Sequence, residues 1–355
     1  MTTITRSIRI FGTVALLACS WPYLLGSEPV ASDAIGSFEL AERVNRLESM
    51  LSMQGCDSVT ACCDSSNSQP TFYAGYKFLF VKPHMKESFE ATVINVATGE
   101  NSLIPLDYNY NLTPNVWLGF RTSKSIGARV TYWGFDHSGN SRTLVSDGVS
   151  LPGATATTVI YPAAIIAPAP GDILQTQNSL NVQTVDAEGT VDFKLNSANV
   201  TVGGGLRYAM TDQQMQATAS RQGFPIGQLN WRREFEGFGP AISAIAIQPI
   251  RSRLSAVGNM RGSLLYGKKD LTRTVMGDVT PSVVAGPPIV RLNNADEVVA
   301  AFDLGIGLRY TRKLTGQSDA FIQGTYEGQL WTEAGAPTLT FLGFQGLGFA
   351  LGTSY

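Results

Sequence analysis

His84 and His137 are the only imidazoles among 355 residues, and each has a carboxylate close by in sequence, Glu87 and Asp136. A histidine beside a carboxylate is the minimum for moving a proton near neutral pH. Nothing completes such a centre. The chain has no Ser-His-Asp arrangement, no glycine-rich phosphate loop and no two histidines at metal-ligand spacing. The sequence therefore predicts no catalytic residues, no metal site and no cofactor. Thiol chemistry is confined to one place, where Cys56, Cys62 and Cys63 crowd together. Their spacing is not C-x-x-C and no histidine is near, which argues against zinc. In an oxidising compartment Cys56 is expected to pair with Cys62 or Cys63. The thiol left over is then capped or crosslinks two chains.

Charged residues make up 15% of the chain, against about a quarter in soluble proteins. Those present fall on alternating positions. Asp186, Glu188, Asp192 and Lys194 interleave with Val185, Ala187, Val191, Phe193 and Leu195; Asp303 and Arg309 interleave with Phe302, Leu304, Ile306, Leu308 and Tyr310. Asp107 and Arg121 bracket a run in which Leu106, Tyr108, Tyr110, Leu112, Pro114, Val116, Leu118 and Phe120 share one face, with Trp117 the bulky exception on the other. One apolar and one polar face, kept over ten or more residues, is the pattern of an outer-membrane barrel with lipid outside and a wet lumen inside. On that reading the lumen is lined by Lys77, Asp107, Arg121, Arg129, Asp186, Glu188, Asp192, Lys194, Arg207, Arg233, Arg261, Asp303, Arg309 and Glu327.

The elements that must position these residues are ten strands, at about 71–82, 103–121, 126–137, 180–195, 198–214, 233–248, 253–268, 296–312, 319–331 and 338–355. A turn at Pro114 would make them twelve. Short links, such as Thr122–Ser125 and Asn196–Ser197, alternate with long ones, Pro83–Ser102, Ser138–Ser179, Met215–Arg232 and Lys269–Ala295, until the last, Thr332–Pro337, which is short where a long one is due. Bacterial barrels alternate in this way, with short periplasmic turns and long outer loops. The apolar stretch Thr157–Pro168 is expected to pack over the barrel mouth or against a neighbouring subunit. Phe349, Leu351 and Tyr355 end the last strand at strand period. They are expected to form the signal by which the barrel-assembly machinery accepts the chain.

Residues 1–27 have the basic start and apolar run of a signal peptide, cleaved between 26 and 32. Residues 28–70 form an expected periplasmic segment, with a heptad helix over 36–54 carrying Leu40, Val44, Leu47 and Leu51 on its seam. The barrel occupies 71–355. Past the signal no apolar run reaches the length of a membrane helix. A net charge of −2 without any basic tract excludes nucleic-acid binding.

Several stretches resemble the pore-forming outer-membrane protein family typified by the Legionella major outer membrane protein. They are Phe72-Tyr73-Ala74-Gly75-Tyr76-Lys77-Phe78-Leu79-Phe80, the Asp107–Phe120 strand, Gly205-Leu206-Arg207-Tyr208, Phe235-Glu236-Gly237-Phe238-Gly239-Pro240, Arg261-Gly262-Ser263-Leu264-Leu265-Tyr266-Gly267 and Tyr326-Glu327-Gly328-Gln329-Leu330-Trp331. The resemblance spans about 71–355. It implies a barrel, a pore and disulfide-linked oligomers, and brings no catalytic residues.

The expected function is thus a porin-like pore in the outer membrane, passing small solutes through a charged lumen. The expected partners are outer-membrane lipid and further copies of the chain. Two other readings stand beside it. Ion pairs could brace a narrow, closed barrel with a structural or adhesive role, because eight strands leave an interior that side chains fill. An omptin-like surface protease would use the His and Asp at the outer rim.

Overall fold

The computed structural model describes residues 70–85, 89–95, 101–106, 108–139, 141–146, 155–159, 165–167, 169–277, 289–314, 318–332 and 341–355. The expected signal peptide, the heptad helix, the three cysteines and Asp107 lie outside the described residues. Among the described residues every regular element is a strand.

Ten strands form the barrel: β1 (Thr71–Met85), β4 (Asn111–Arg121), β5 (Ile126–Ser138), β9 (Ile173–Leu195), β10 (Ala198–Arg221), β11 (Phe224–Pro249), β12 (Leu254–Gly277), β13 (Ile289–Lys313), β14 (Asp319–Trp331) and β15 (Leu342–Ser354). Each pairs antiparallel with the next, and β15 pairs with β1 to close the ring. The short strand β6 (Arg142–Val145) pairs with the start of β9. A second sheet contains β3 (Asn101–Pro105), β2 (Phe89–Asn95), β7 (Thr155–Val159) and β8 (Ile165–Ala167), in that order.

The ten expected strands give the ten of the barrel, but the one expected at 103–121 is split. Residues 103–105 fall in β3 of the second sheet, the barrel strand begins at Asn111, and Tyr108, expected on the outer face, is buried in the core. Among the described residues β6 alone adds to the barrel's sheet, at the start of β9. Pro114 sits in register opposite Phe78 and makes no turn. The largest correction concerns Met215–Arg232. It is not a loop: β10 and β11 run on through it to a two-residue turn at Gln222 and Gly223, both at positive φ. That is the backbone a tight hairpin needs, and glycine adopts it without steric cost.

The register fixes the geometry of the ring. From Leu254 on β12, hydrogen-bonded partners lead through Tyr310, Ile322, Leu351, Tyr76, Val116, Tyr132, Val185, Tyr208 and Phe238, and return to β12 at Tyr266. The stagger is 266 − 254 = 12 residues over ten strands. With strands about 4.8 Å apart and about 3.3 Å per residue, that stagger implies a tilt of about 40° and a backbone radius of about 10 Å. Side chains reaching inward from such a wall meet across the axis.

Every residue on this row is apolar or tyrosine, and most are exposed. With Leu206, Ile242, Leu264, Leu304, Ile306 and Phe349 they make a lipid-facing belt roughly 30 Å tall. Above Tyr208 and Phe238, β9 to β12 continue for about another 30 Å as a curved flange. The flange turns its apolar face inward, where Met215, Ala217, Ala219, Leu229 and Trp231 cluster with Ile165 and Ala167 of β8. The 157–168 stretch was expected at the mouth, and its β8 portion packs there against β9, β10 and β11.

Candidate functional site

Inside the barrel, at mid-height, six of the expected lumen residues meet. Arg129 of β5 donates to Glu188 of β9, its direct cross-strand neighbour, from Nε at 3.1 Å and from Nη2 at 2.5 Å. Arg207 of β10 donates from Nε to Asp186 at 2.6 Å, also a cross-strand neighbour. The other contacts cross the lumen. Arg261 of β12 reaches both acids of β9, donating from Nη1 to Asp186 at 2.8 Å and from Nε to Glu188 at 3.2 Å. Arg207 Nη2 donates to Asp303 of β13 at 2.7 Å, and Arg129 Nη2 donates to Ser243 of β11 at 3.1 Å. Three arginines and three carboxylates sum to zero charge.

Arg207, Asp186 and Glu188 are 2%, 1% and 3% exposed. Burial on this scale is tolerable only because each charge has at least two partners. A water-filled channel would leave these groups wetted. They are instead braced against one another.

Directly above the charges the interior turns apolar. Moving up each strand, Arg129 gives way to Trp133 and Phe135, Asp186 to Val182 and Leu180, Arg261 to Leu265, and Asp303 to Ala301 and Val299. These pack with Leu79, Val81, Phe235, Trp331, Leu342 and Phe344 in one buried cluster. Phe344 meets Trp133 and Phe135 edge-on at 5.3 and 5.0 Å. The ring of Trp331 lies 6.0 Å from the Arg207 guanidinium, and so joins the two layers.

The other expected lumen residues are distributed in smaller groups. Lys77 pairs with Glu327 at 2.6 Å. Arg121 pairs with Asp192 at the short-turn end, where Asp192 also accepts from Thr201. Arg309 lies 4.1 Å over the Phe321 ring and donates to Gln323, and Trp117 stacks on Phe321 with ring centroids 6.4 Å apart. Arg233 pairs with Glu297 at 3.1 Å above the apolar layer, and Lys269 shares that carboxylate. Lys194 is exposed beside the Asn196–Ser197 turn and joins no group among the described residues. Phe349, Leu351 and Tyr355 are exposed on the outer face.

Sequence reasoning missed the apolar layer and Glu297. Both had a signal. Phe78-Leu79-Phe80-Val81, Leu264-Leu265-Tyr266 and Val298-Val299-Ala300-Ala301-Phe302 are apolar on both faces, the mark of a strand buried on both sides. Glu297 continues the inward row of Ala301 and Asp303. At the rim of β5, Asp136 and His137 do not converge. Asp136 is exposed outward, whereas His137 turns inward, its ring 6.0 Å from Tyr108 and 6.2 Å from Phe135. Adjacent residues of one strand must diverge in this way.

A family described as "Legionella pneumophila major outer membrane protein precursor" matches residues 65–341. No curated protein matches. Among solved structures, the chain is similar to the outer membrane protease OmpT of Escherichia coli at 9% identity. That match covers 80% of this chain and 96% of the other, with a TM-score of 0.42. It is also similar to a Pseudomonas aeruginosa FadL homologue at 7% identity, covering 81% and 90%, with a TM-score of 0.24. The Pseudomonas putida toluene transporter TodX follows at 5% identity, covering 81% and 89%, with a TM-score of 0.22. Likenesses this distant transfer no activity.

Proposed function

The chain belongs to the Legionella pneumophila major outer membrane protein family, and from that premise we propose that it acts in the outer membrane as a closed barrel, a structural protein that carries a surface-exposed β-flange. The observation that carries this reading is the sequence of layers inside the ring. A zero-sum charge network bridges the lumen, and a dry cluster of aromatic and aliphatic side chains seals it from above. The apolar layer is almost fully buried, as expected of side chains that meet inside a wall of about 10 Å radius.

The flange end, with its long links, faces outward on this reading, and the N-terminal segment is periplasmic. Phe349, Leu351 and Tyr355 serve the assembly machinery. Catalysis has no part in the proposal: Asp136 and His137, neighbours on one strand, point to opposite sides of the sheet.

A porin-like role is the second reading, and the charged groups inside the barrel favour it, since an apolar plug alone would not need them. It requires the aromatic layer to part. Planar-bilayer recording separates the two. The closed barrel predicts a silent baseline after insertion of the folded protein. Stepwise ion conductance would replace it with the pore.

A further inference from the structure

The outer face of the flange is ordered in rows that follow the hydrogen-bond register across β9, β10, β11 and β12. The lowest, Val185–Tyr208–Phe238–Tyr266, is the upper rim of the lipid belt. Two residues up, Gln183–Met210–Glu236–Lys268 is mixed, and next Asn181–Asp212–Glu234–Asp270 is charged. Arg232, one row higher, pairs with Asp212 at 2.7 Å and Glu234 at 2.6 Å, which draws its charge into that layer. Above it lie Gln177–Gln216–Asn230–Thr274 and Gln175–Thr218–Gln228–Met276, with no charge at all. Each row stands about 5 Å above the last, so the amide rows begin about 20 Å beyond the belt.

Gln175, Gln177, Gln216 and Asn230 are exposed. Among the described residues their carboxamides donate and accept nothing from neighbouring side chains, although Gln183 and Gln214 lower down are engaged with Asn181 and Asp212. A β surface that is uncharged and dense in amide N–H and C=O groups complements one chemistry well. Vicinal hydroxyls present paired donors and acceptors at matching spacing, and a carboxamide can bond both at once.

We propose that this face binds the saccharide of the outer-leaflet glycolipid. The surface is continuous with the lipid belt, so a glycolipid whose acyl chains lie against the apolar row carries its sugars up to the amides. The rows between are net acidic, with Arg232 already paired to Asp212 and Glu234, and leave its phosphates to the solvent side. The sugar contacts tie the flange to the membrane surface.

The test uses the full-length folded barrel in two kinds of vesicle, one containing lipid A and the other lipopolysaccharide with its core oligosaccharide. The readout is the temperature at which the barrel loses its folded electrophoretic mobility. The saccharide-bearing vesicles should raise that midpoint by a few degrees over lipid A, as a ligand of the native state does. The combined variant Gln177→Glu, Gln216→Glu, Asn230→Asp, nearly isosteric, should match the wild type in lipid A and lose the increment. Equal midpoints in the two vesicles, or an increment kept by the variant, would overturn the proposal. So would an increment reproduced by free core oligosaccharide, which would make the face a site for soluble sugar. A change in subunit number in the variant would assign it to a second copy of the chain.

Discussion

The two halves of the β10–β11 hairpin are built from the same pair of strands and the same period of two, yet they are inside out relative to each other. Below Tyr208 and Phe238, Leu206 and Ile242 face outward, and Arg207 and Ser243 face inward. Above them, Gln214, Gln216 and Asn230 face outward, and Met215, Ala217, Leu229 and Trp231 face inward. The backbone does not change; the solvent does. Lipid takes the apolar face in the lower half. In the upper half water takes the polar face, and the apolar side chains retreat to the interior with β8. Period two reports a strand, and the phase of the alternation reports what surrounds it.

The inversion can be broken most severely from the inside. Arg207→Leu leaves Asp186 and Asp303 in the interior without their shared partner, a loss of about 3–5 kcal/mol. Denaturant unfolding in detergent should show it as a large drop in midpoint. An unchanged midpoint would mean that the lower interior is already wet.

A smaller effect sharpens the outer contrast. Leu206→Arg puts a charge in the lipid belt one row below its upper rim and should cost about 1–2 kcal/mol in folding from denaturant into bilayers, between the midplane and interface values. Gln214→Arg, on the same face of the same strand but in the flange, should change stability by no more than about 0.5 kcal/mol. Similar costs at both positions would abolish the boundary at Tyr208.

The smallest effect is confined to the flange. Asp172, just before β9, accepts from Arg221 Nε at 2.9 Å and from the Ala169 amide at 2.8 Å. The hydrogen bonds from Arg221 hold its carboxyl below the ordinary carboxylate range against the opposing effect of burial. A depressed folded value means that the contribution is complete above about pH 4, the value in the unfolded chain, and is lost as pH falls through the folded value. Amide exchange at Ala169 and Arg221 should therefore quicken in acid while the lower barrel stays protected. Equal quickening in both halves would argue against a local clasp.

The lower half was legible because its phase is constant. Val185 through Leu195 and Val298 through Tyr310 keep apolar residues on one parity, and ten strands could be placed from that alone. The upper half was lost at the phase change. On β10 the apolar residues sit at even positions through Met210 and at odd positions from Met215. A reading that holds one face fixed stops at 214 and takes the remainder for a loop. The fourteen lumen residues were chosen by parity, and the described ones among them turn inward or lie at the lower rim. Parity could not show that Arg261 would span three strands to meet Asp186 and Glu188. That contact depends on the radius, which depends on the stagger, and the stagger is a property of pairing between strands far apart in sequence.

The ring is joined where β1 meets β15. The Phe72 amide donates to the Tyr355 carbonyl and the Tyr355 amide to the Phe72 carbonyl, both at 2.8 Å. These partners are 283 residues apart by number (355 − 72), so the seam is among the most non-local contacts a chain of this length can make, and such contacts form slowly. Until it forms, β1 and β15 each present a bare row of amides and carbonyls, which neither lipid nor water-borne neighbours leave unpaired for long. A nascent copy with its seam open is a template for the β1 or β15 edge of another copy. The time spent in that state, more than the strength of any finished contact, then sets how much of the protein is lost to aggregation before it reaches the membrane.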